Sequence, residues 1–167
     1  VSWAGDVFRA RKGAHSLEVL RRDDVRLLGP HALWNVASAA AAAHVRVVPP
    51  ESIREALRGF AGLPHRLSPV GTCAGELVVD DSTSTTPEAA ALALRSFSGA
   101  PVRLLAGGYD KGVDPAPLAD AAAGRAAEIV CYGATREALA TALRERAAGV
   151  PVSVVETLED AVHAAFG

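Results

Sequence analysis

Apolar and polar positions follow two patterns along this chain, and the change comes after the second of two predicted helices. Residues 1–28 alternate short apolar stretches with charge, a pattern typical of short strands and turns. Apolar side chains then recur at helical spacing over residues 31–44 and 52–60. Pro49-Pro50 and Gly62-Leu63-Pro64 are predicted to end these helices.

Beyond the second helix, strand-like apolar stretches alternate with helical ones. The predicted strands cover residues 76–79, 102–106, 128–132 and 152–155. The predicted helices cover residues 86–97, 115–123, 135–147 and 158–166. The first of them opens with the capping sequence Thr86-Pro87-Glu88. Strands separated by helices predict an α/β fold with a parallel, doubly wound sheet.

Composition and charge exclude several classes of function. The chain is 50% apolar and 22% charged, which is typical of a soluble, helix-rich globular protein. A net charge of −2 supplies no basic surface for nucleic acid. No apolar run reaches the roughly 18 residues of a membrane span, and no segment resembles a signal peptide, so a cytoplasmic protein without membrane partners is expected. Two distant cysteines, Cys73 and Cys131, predict neither a disulfide framework nor a metal site.

The start of the chain suggests a piece of a longer protein. It begins with Val1 and contains no methionine. No stretch matches the phosphate-binding pattern GxxxxGK followed by Ser or Thr. A loop that grips the phosphates of a nucleotide is therefore expected outside this chain.

Polar residues are concentrated where the first two predicted strands of the alternating part end, and parallel sheets bind ligands at such ends. Residues 80–86 place two carboxylates, Asp80 and Asp81, before five hydroxyl residues at a helix start, which suits an anion, magnesium or a ribose hydroxyl. Residues 107–112 carry Lys111 on a glycine-rich turn, from which an amine reaches a carboxylate or phosphate. Residues 80–86 also fit a helix-capping turn that binds no ligand, and Lys111 also fits a lysine that is exposed to water. The ends of the later strands are less distinctive.

Two further candidates lie earlier in the chain. His65-Arg66 follows Gly62-Leu63-Pro64 at the junction between the two patterns, where an arginine can bridge to nucleotide phosphates. His31 and Asn35 lie four positions apart and share one face of a predicted helix. An exposed arginine and a solvated asparagine are the alternative interpretations.

Taken in order, these motifs resemble the muramyl ligase family, and within it the enzymes that add glutamate to UDP-N-acetylmuramoyl-L-alanine. The motifs that carry the resemblance are Gly29-Pro30-His31 with Asn35, Gly62-Leu63-Pro64-His65-Arg66, Asp80-Asp81-Ser82 with Thr85, and Gly107-Gly108-Tyr109-Asp110-Lys111-Gly112. The resemblance covers nearly the whole chain. Four motifs in the right order are more specific than any one of them.

The resemblance implies a parent with three domains: one for the UDP-sugar, a central P-loop ATPase domain, and a Rossmann-like domain that receives the amino acid. Residues 1–63 are then the C-terminal remnant of the central ATP-binding domain. Residues 64–167 are the glutamate-binding domain, incomplete at its end. The whole protein is expected to be a monomeric, cytoplasmic, amide-forming ligase of peptidoglycan synthesis that uses ATP and Mg²⁺, whereas this chain alone is expected to be inactive.

The resemblance also implies roles for individual residues. Nucleotide contacts are implied for Asn35, toward adenine, and for Arg66 and Asp81. Glutamate contacts are implied for Thr85 and Lys111. Supporting positions are His65, Ser82 and Thr83. No catalytic residue and no metal ligand is assigned within this chain.

Two departures bear on the substrate. The family's D-glutamate enzymes carry lysine where this chain has Thr83, and His-Asn where it has His31-Ala32. The pattern Asp-Asp-Ser-x-Ser-Thr-Thr-Pro, followed by Gly-Gly-Tyr-Asp, resembles the branch that adds L-glutamate. The sequence therefore favours L-glutamate over D-glutamate.

Two other interpretations stay open at this point. One is a non-catalytic nucleotide or metabolite-binding module, which predicts a parent protein without a P-loop upstream. The other is a folylpolyglutamate synthase, which shares the three-domain plan. The motifs at residues 62–66 and 80–86 favour the muramyl ligases over it.

Overall fold

The computed structural model describes residues 2–12, 14–97 and 99–167. The chain divides into two compact units, Val1–Ser68 and Pro69–Gly167. Each unit has its own cluster of buried apolar side chains, as independently packed domains do. Within the described ranges, no helix has the length and apolar character that crossing a bilayer requires.

The first unit begins with a three-stranded antiparallel sheet. Its strands are β1 (Ser2–Ala4), β2 (Val7–Lys12) and β3 (His15–Arg21). A short 3₁₀ helix at Arg22–Asp24 follows the last strand. The prediction of short strands and turns over residues 1–28 is confirmed.

Two consecutive helices complete this unit, as the helical spacing predicts. They are α1 (Pro30–Val45) and α2 (Pro50–Gly59). Pro50 opens α2, because proline at the first helical position gives up an N–H that has no partner within the helix. Phe8 and Leu20 of the sheet are buried against Val36 of α1 and Ile53 of α2.

The second unit opens with a β-hairpin that the sequence does not predict. Its strands, β4 (Ser68–Cys73) and β5 (Glu76–Asp80), form a two-stranded sheet. The turn residues Ala74 and Gly75 have φ values of 50° and 84°, and positive φ at both positions is the mark of a type I′ turn. The sequence gives β4 no signal because it contains proline and glycine and all its residues after Ser68 are exposed, so apolar and polar positions do not alternate.

Three parallel strands, in the order β6-β7-β8, form the main sheet of this unit. They are β6 (Val102–Gly108), β7 (Ala126–Gly133) and β8 (Val152–Val154). The helices that alternate with strands are α3 (Pro87–Leu94), α4 (Ala116–Ala122), α5 (Arg136–Arg146) and α6 (Leu158–Phe166). The α/β class is confirmed. The expectation of a fourth parallel strand is wrong, because β5 takes β4 as its hydrogen-bonding partner.

Helices cover both faces of the parallel sheet. On one face, Ile129 and Cys131 of β7 are fully buried against side chains of α3, α4 and α5. On the other, Arg103 of β6 donates to the Ala165 carbonyl and lies over the ring of Phe166, 6.0 Å from its centroid, and both partners belong to α6. Side chains that alternate between two covered faces are what a buried parallel sheet requires.

The helix α3 begins as predicted and ends early. The Thr86 hydroxyl accepts the Ala89 N–H at 3.3 Å, which is the expected capping bond. The helix does not reach Phe97. The N–H groups of Ser96 and Phe97 bond carbonyls three residues back, at Ala93 and Leu94, so the helix closes with a tightened final turn.

Candidate functional site

Two side-chain interactions link β5 to the parallel sheet, one near each end of the strand. Near the strand starts, Arg103 of β6 forms an ion pair with Glu76 of β5 at 3.4 Å. Near the strand ends, burial raises the pKa of Tyr132. The Asp80 carboxylate raises this pKa further, because its negative charge disfavours a negative phenolate nearby. The loop after β5 and the turn after β6 therefore belong to the same edge of the second unit.

The loop after β5 is folded by its own backbone and side chains. The Ser82 N–H donates to Asp80 Oδ1 at 2.9 Å, and the Ser84 N–H donates to the Asp81 carbonyl at 2.9 Å. Such bonds are typical of turns rich in aspartate and hydroxyl residues. The Asp81 side chain is half-buried. The exposed side chains of the loop include those of Ser82, Thr83 and Thr85.

The turn after β6 carries Lys111. A Cβ atom at Gly107 would lie 1.9 Å from the carbonyl oxygen of Tyr132, so only glycine fits where β6 passes β7. Asp110 Oδ1 accepts the Gly112 N–H at 2.8 Å and closes the turn around Lys111. The Lys111 side chain is exposed, and its ammonium group offers three donors to a carboxylate or phosphate.

The start of α5 contacts the beginning of this turn. The Gly108 carbonyl accepts the backbone N–H of Thr135 at 3.2 Å and its hydroxyl at 3.5 Å. A Cβ atom at Gly133 would lie 3.0 Å from the Gly108 nitrogen. In the sequence this strand end is less distinctive than the first two, although a glycine two residues before a helix-starting threonine is a visible signal. Arg136 donates to the Gly133 carbonyl at 3.0 Å and fixes the same segment.

The remaining candidate residues lie in the first unit. Asn35 is exposed on α1, and His31 one helical turn earlier is half-buried. His65 has a φ of 62°, a left-handed conformation uncommon for residues other than glycine. Arg66 beside it is exposed. The convergence of Asn35, Arg66 and Asp81 on one nucleotide stays a prediction.

The part of the chain that the structure describes holds no group of three or more His, Cys, Asp or Glu side chains arranged for a metal ion. A magnesium ion beside Asp80 and Asp81 would therefore take further oxygen ligands from a nucleotide, water or other parts of the protein. Cys131 is buried, and burial raises the pKa of its thiol to about 11. Its thiol is part of the core, whereas Cys73 is exposed.

A family model of the Mur ligase glutamate ligase domain matches residues 65–167, which is more than half of the chain. The chain therefore belongs to the Mur ligase family, through its glutamate ligase domain. The family assignment made from the sequence motifs is confirmed.

Two curated relatives carry the same name. The UDP-N-acetylmuramoylalanine--D-glutamate ligase of Roseiflexus sp. (strain RS-1) is 42% identical over 135 residues, which are 80% of this chain and 28% of that protein. The protein of the same name from Thermobifida fusca (strain YX) is 38% identical over 156 residues, which are 93% of this chain and 33% of that protein. The chain thus spans about a third of the length of these relatives.

Solved structures share the fold at lower identity. A UDP-N-acetylmuramate-alanine ligase from Thermotoga maritima superposes with a TM-score of 0.67 at 19% identity, over 90% of this chain and 33% of that one. A Mycobacterium tuberculosis folylpolyglutamate synthase, solved with ADP, gives a TM-score of 0.66 at 23% identity, over 84% of this chain and 33% of that one. These likenesses establish the fold alone.

Proposed function

We propose that this chain is the amino-acid-receiving end of an ATP-dependent ligase that joins glutamate to UDP-N-acetylmuramoyl-L-alanine in peptidoglycan synthesis. The observation that carries the proposal is the family match over residues 65–167, together with relatives at 38% and 42% identity that bear the name of this activity. The carboxyl edge of the second unit supports it, because it presents the exposed ammonium group of Lys111 and the exposed hydroxyl groups of the loop after β5.

D-Glutamate is the enantiomer that we propose. The names of the relatives specify it, and none of the relatives cited supports the L-glutamate preference drawn from the sequence. L-Glutamate is the second candidate, because Thr83 leaves the loop after β5 without the lysine that favours a carboxylate there. The two enantiomers present the same charges and differ in the direction of the side chain.

The chemistry assigned to this chain is binding and orientation. Lys111 and the Thr85 hydroxyl are proposed to hold a glutamate carboxylate, so that the amine points at the acceptor carbonyl. Charge-assisted hydrogen bonds of this kind contribute about 1.5 to 3 kcal/mol each. Asn35, Arg66 and Asp81 are proposed to contact the nucleotide. ATP with Mg²⁺, held mainly outside this chain, would activate the muramoyl carboxylate as an acyl phosphate.

Holding the reactants together is the larger part of such catalysis, since amide formation from an acyl phosphate needs correct orientation more than a covalent contribution from the protein. His65, Ser82 and Thr83 are proposed to support the binding residues. That residues 1–63 belong to a central ATP-binding domain, and that the whole protein is a cytoplasmic monomer, stay predictions.

The test is phosphate release by the full-length protein, given UDP-N-acetylmuramoyl-L-alanine, ATP and Mg²⁺, with D-glutamate and L-glutamate supplied separately. Release with D-glutamate alone supports the proposal as stated. Release with L-glutamate alone keeps the ligase and replaces the enantiomer. No release with either, in a protein that still binds ATP, replaces the ligase with a non-catalytic nucleotide-binding module.

A further inference from the structure

The turn that carries Lys111 is attached to the neighbouring strand at its beginning. From Asp110 to Pro115 the backbone belongs to no helix or strand, and residues 110–114 are exposed. Inside the turn, Asp110 Oδ1 bonds the Gly112 N–H, which shapes the turn without attaching it to the sheet. Attachment to the neighbouring strand comes at Gly108, three residues before Lys111, whereas the far end of the turn leads into α4 at Ala116.

Gly108 is attached by the Gly133–Thr135 segment, which links β7 to α5. Thr135 directs both its N–H and its hydroxyl at the Gly108 carbonyl, at 3.2 and 3.5 Å. Its hydroxyl makes no capping bond to α5, although threonine before a helix usually does. The Thr135 hydroxyl therefore contacts the end of the neighbouring strand instead of capping α5.

Close packing adds to these hydrogen bonds. Gly133 has a φ of 72°, and a Cβ atom there would lie 3.0 to 3.1 Å from the nitrogen, Cα and carbonyl oxygen of Gly108. Such distances are tighter than about nine in ten real Cβ contacts, so a side chain at Gly133 would require Gly108 to shift by a few tenths of an ångström. The Gly133 N–H is itself held by the Glu156 carbonyl at 3.0 Å, so the segment has little freedom to move aside.

We propose that Gly133 and Thr135 are positioning residues that set where Lys111 stands for the incoming glutamate. The proposal rests on the proposed function for the nature of the ligand. The geometric link from Gly133 and Thr135 to the turn rests on the contacts alone. Both residues act on the turn through Gly108.

The main test compares Gly133→Ala with Gly149→Ala in the full-length ligase. Both glycines have positive φ, 72° and 89°, so both changes place a side chain in the left-handed region that favours glycine. Among the described residues, however, no heavy atom lies within 4 Å of a Cβ at Gly149. We expect Gly133→Ala to raise the KM for glutamate about tenfold and Gly149→Ala to leave it within about twofold, while the KM for ATP stays constant in both.

Thr135→Val is the second variant, since it keeps the shape and the backbone N–H and removes only the hydroxyl. Loss of one hydrogen bond predicts an increase of about threefold in the KM for glutamate. Thr135→Ser should restore the wild-type value. Thr141→Val is the matched control, because the Thr141 hydroxyl bonds the Glu137 carbonyl within the same helix and lies away from this edge.

Hydrogen exchange of the amides at residues 109–112 gives a readout that does not need activity. Faster exchange there in Gly133→Ala and Thr135→Val, with unchanged exchange in β7, supports the geometric link. Unchanged exchange in the turn overturns it, as does an equal rise in the KM values for all substrates. If the wild-type protein releases no phosphate with either glutamate, the proposed function fails, and the exchange data still decide the link.

Discussion

The Arg58 guanidinium lies 2.7 Å from Asp24 Oδ1, and Asp24 is buried, with 5% of its surface exposed. The other carboxylate oxygen accepts the backbone N–H of Arg21 at 2.8 Å. Asp24→Ala leaves both donors without this acceptor. We expect it to lower the local stability of the first unit by about 2 to 4 kcal/mol, measured by hydrogen exchange in β3 and α2.

Glu51→Ala is the comparison for that change. Glu51 pairs with Arg54 at 3.0 Å and with Arg58 at 3.4 Å, but its side chain is 68% exposed, so water replaces the lost contacts. The expected loss is below about 1 kcal/mol. Equal effects of the two changes would show that burial of Asp24 contributes nothing to the strength of its pair.

Removing the charge of Lys111 should weaken binding of glutamate. Lys111→Met keeps most of the side-chain length and is expected to raise the KM for glutamate at least about tenfold, because a charge-assisted hydrogen bond is lost. Arg95→Met removes another exposed cation, at the end of α3 rather than at this edge. A similar rise in both variants would point to net charge rather than to a specific contact.

Adding a cation at Thr83 tests the loop after β5. Thr83→Lys places an ammonium group beside the exposed hydroxyls of the loop. We expect the KM for D-glutamate to fall about threefold or more, since opposite charges at this edge attract. Thr83→Met, of similar length without charge, should not lower it. A lower KM for L-glutamate instead would assign the position to the other enantiomer.

The two cysteines should differ in reactivity. Burial raises the pKa of the Cys131 thiol from its ordinary value of 9.0 to about 11, so the folded protein keeps it protonated and inert, whereas Cys73 is exposed. Alkylation mapped by mass spectrometry at pH 8 should modify Cys73 first and Cys131 only after unfolding. Modification of both at equal rates in the native protein contradicts this assignment.

The same thiol gives a direction for stability against pH. The unfolded chain releases the Cys131 proton near pH 9.0, whereas the folded chain retains it to about pH 11, so base favours the unfolded chain. Stability of the second unit is therefore complete below pH 9.0 and falls as the pH rises toward 11. Cys131→Ala should remove that part of the fall. The measurement is the free energy of unfolding of the second unit in urea, with the full-length protein followed by hydrogen exchange in peptides that contain Tyr132.

The sequence by itself determined the helices, the three strands of the parallel sheet and the family. Helical spacing places α1 and α2, and the Thr86 capping signal places the start of α3, because these signals are local and act within one or two turns. Four motifs in order identified the family, because each motif is defined by residue types within a short segment of the sequence.

Only the tertiary structure decided which strand ends meet. The hairpin of β4 and β5 replaced a predicted fourth parallel strand, because backbone pairing depends on which partner is available and not on the apolar run of β5 alone. The contact of Gly133 and Thr135 with Gly108 joins residues that lie at least 25 positions apart in the chain. Local sequence patterns do not predict contacts between residues so far apart in the chain. The residues that contact the start of the Lys111 turn are therefore known only from the tertiary structure.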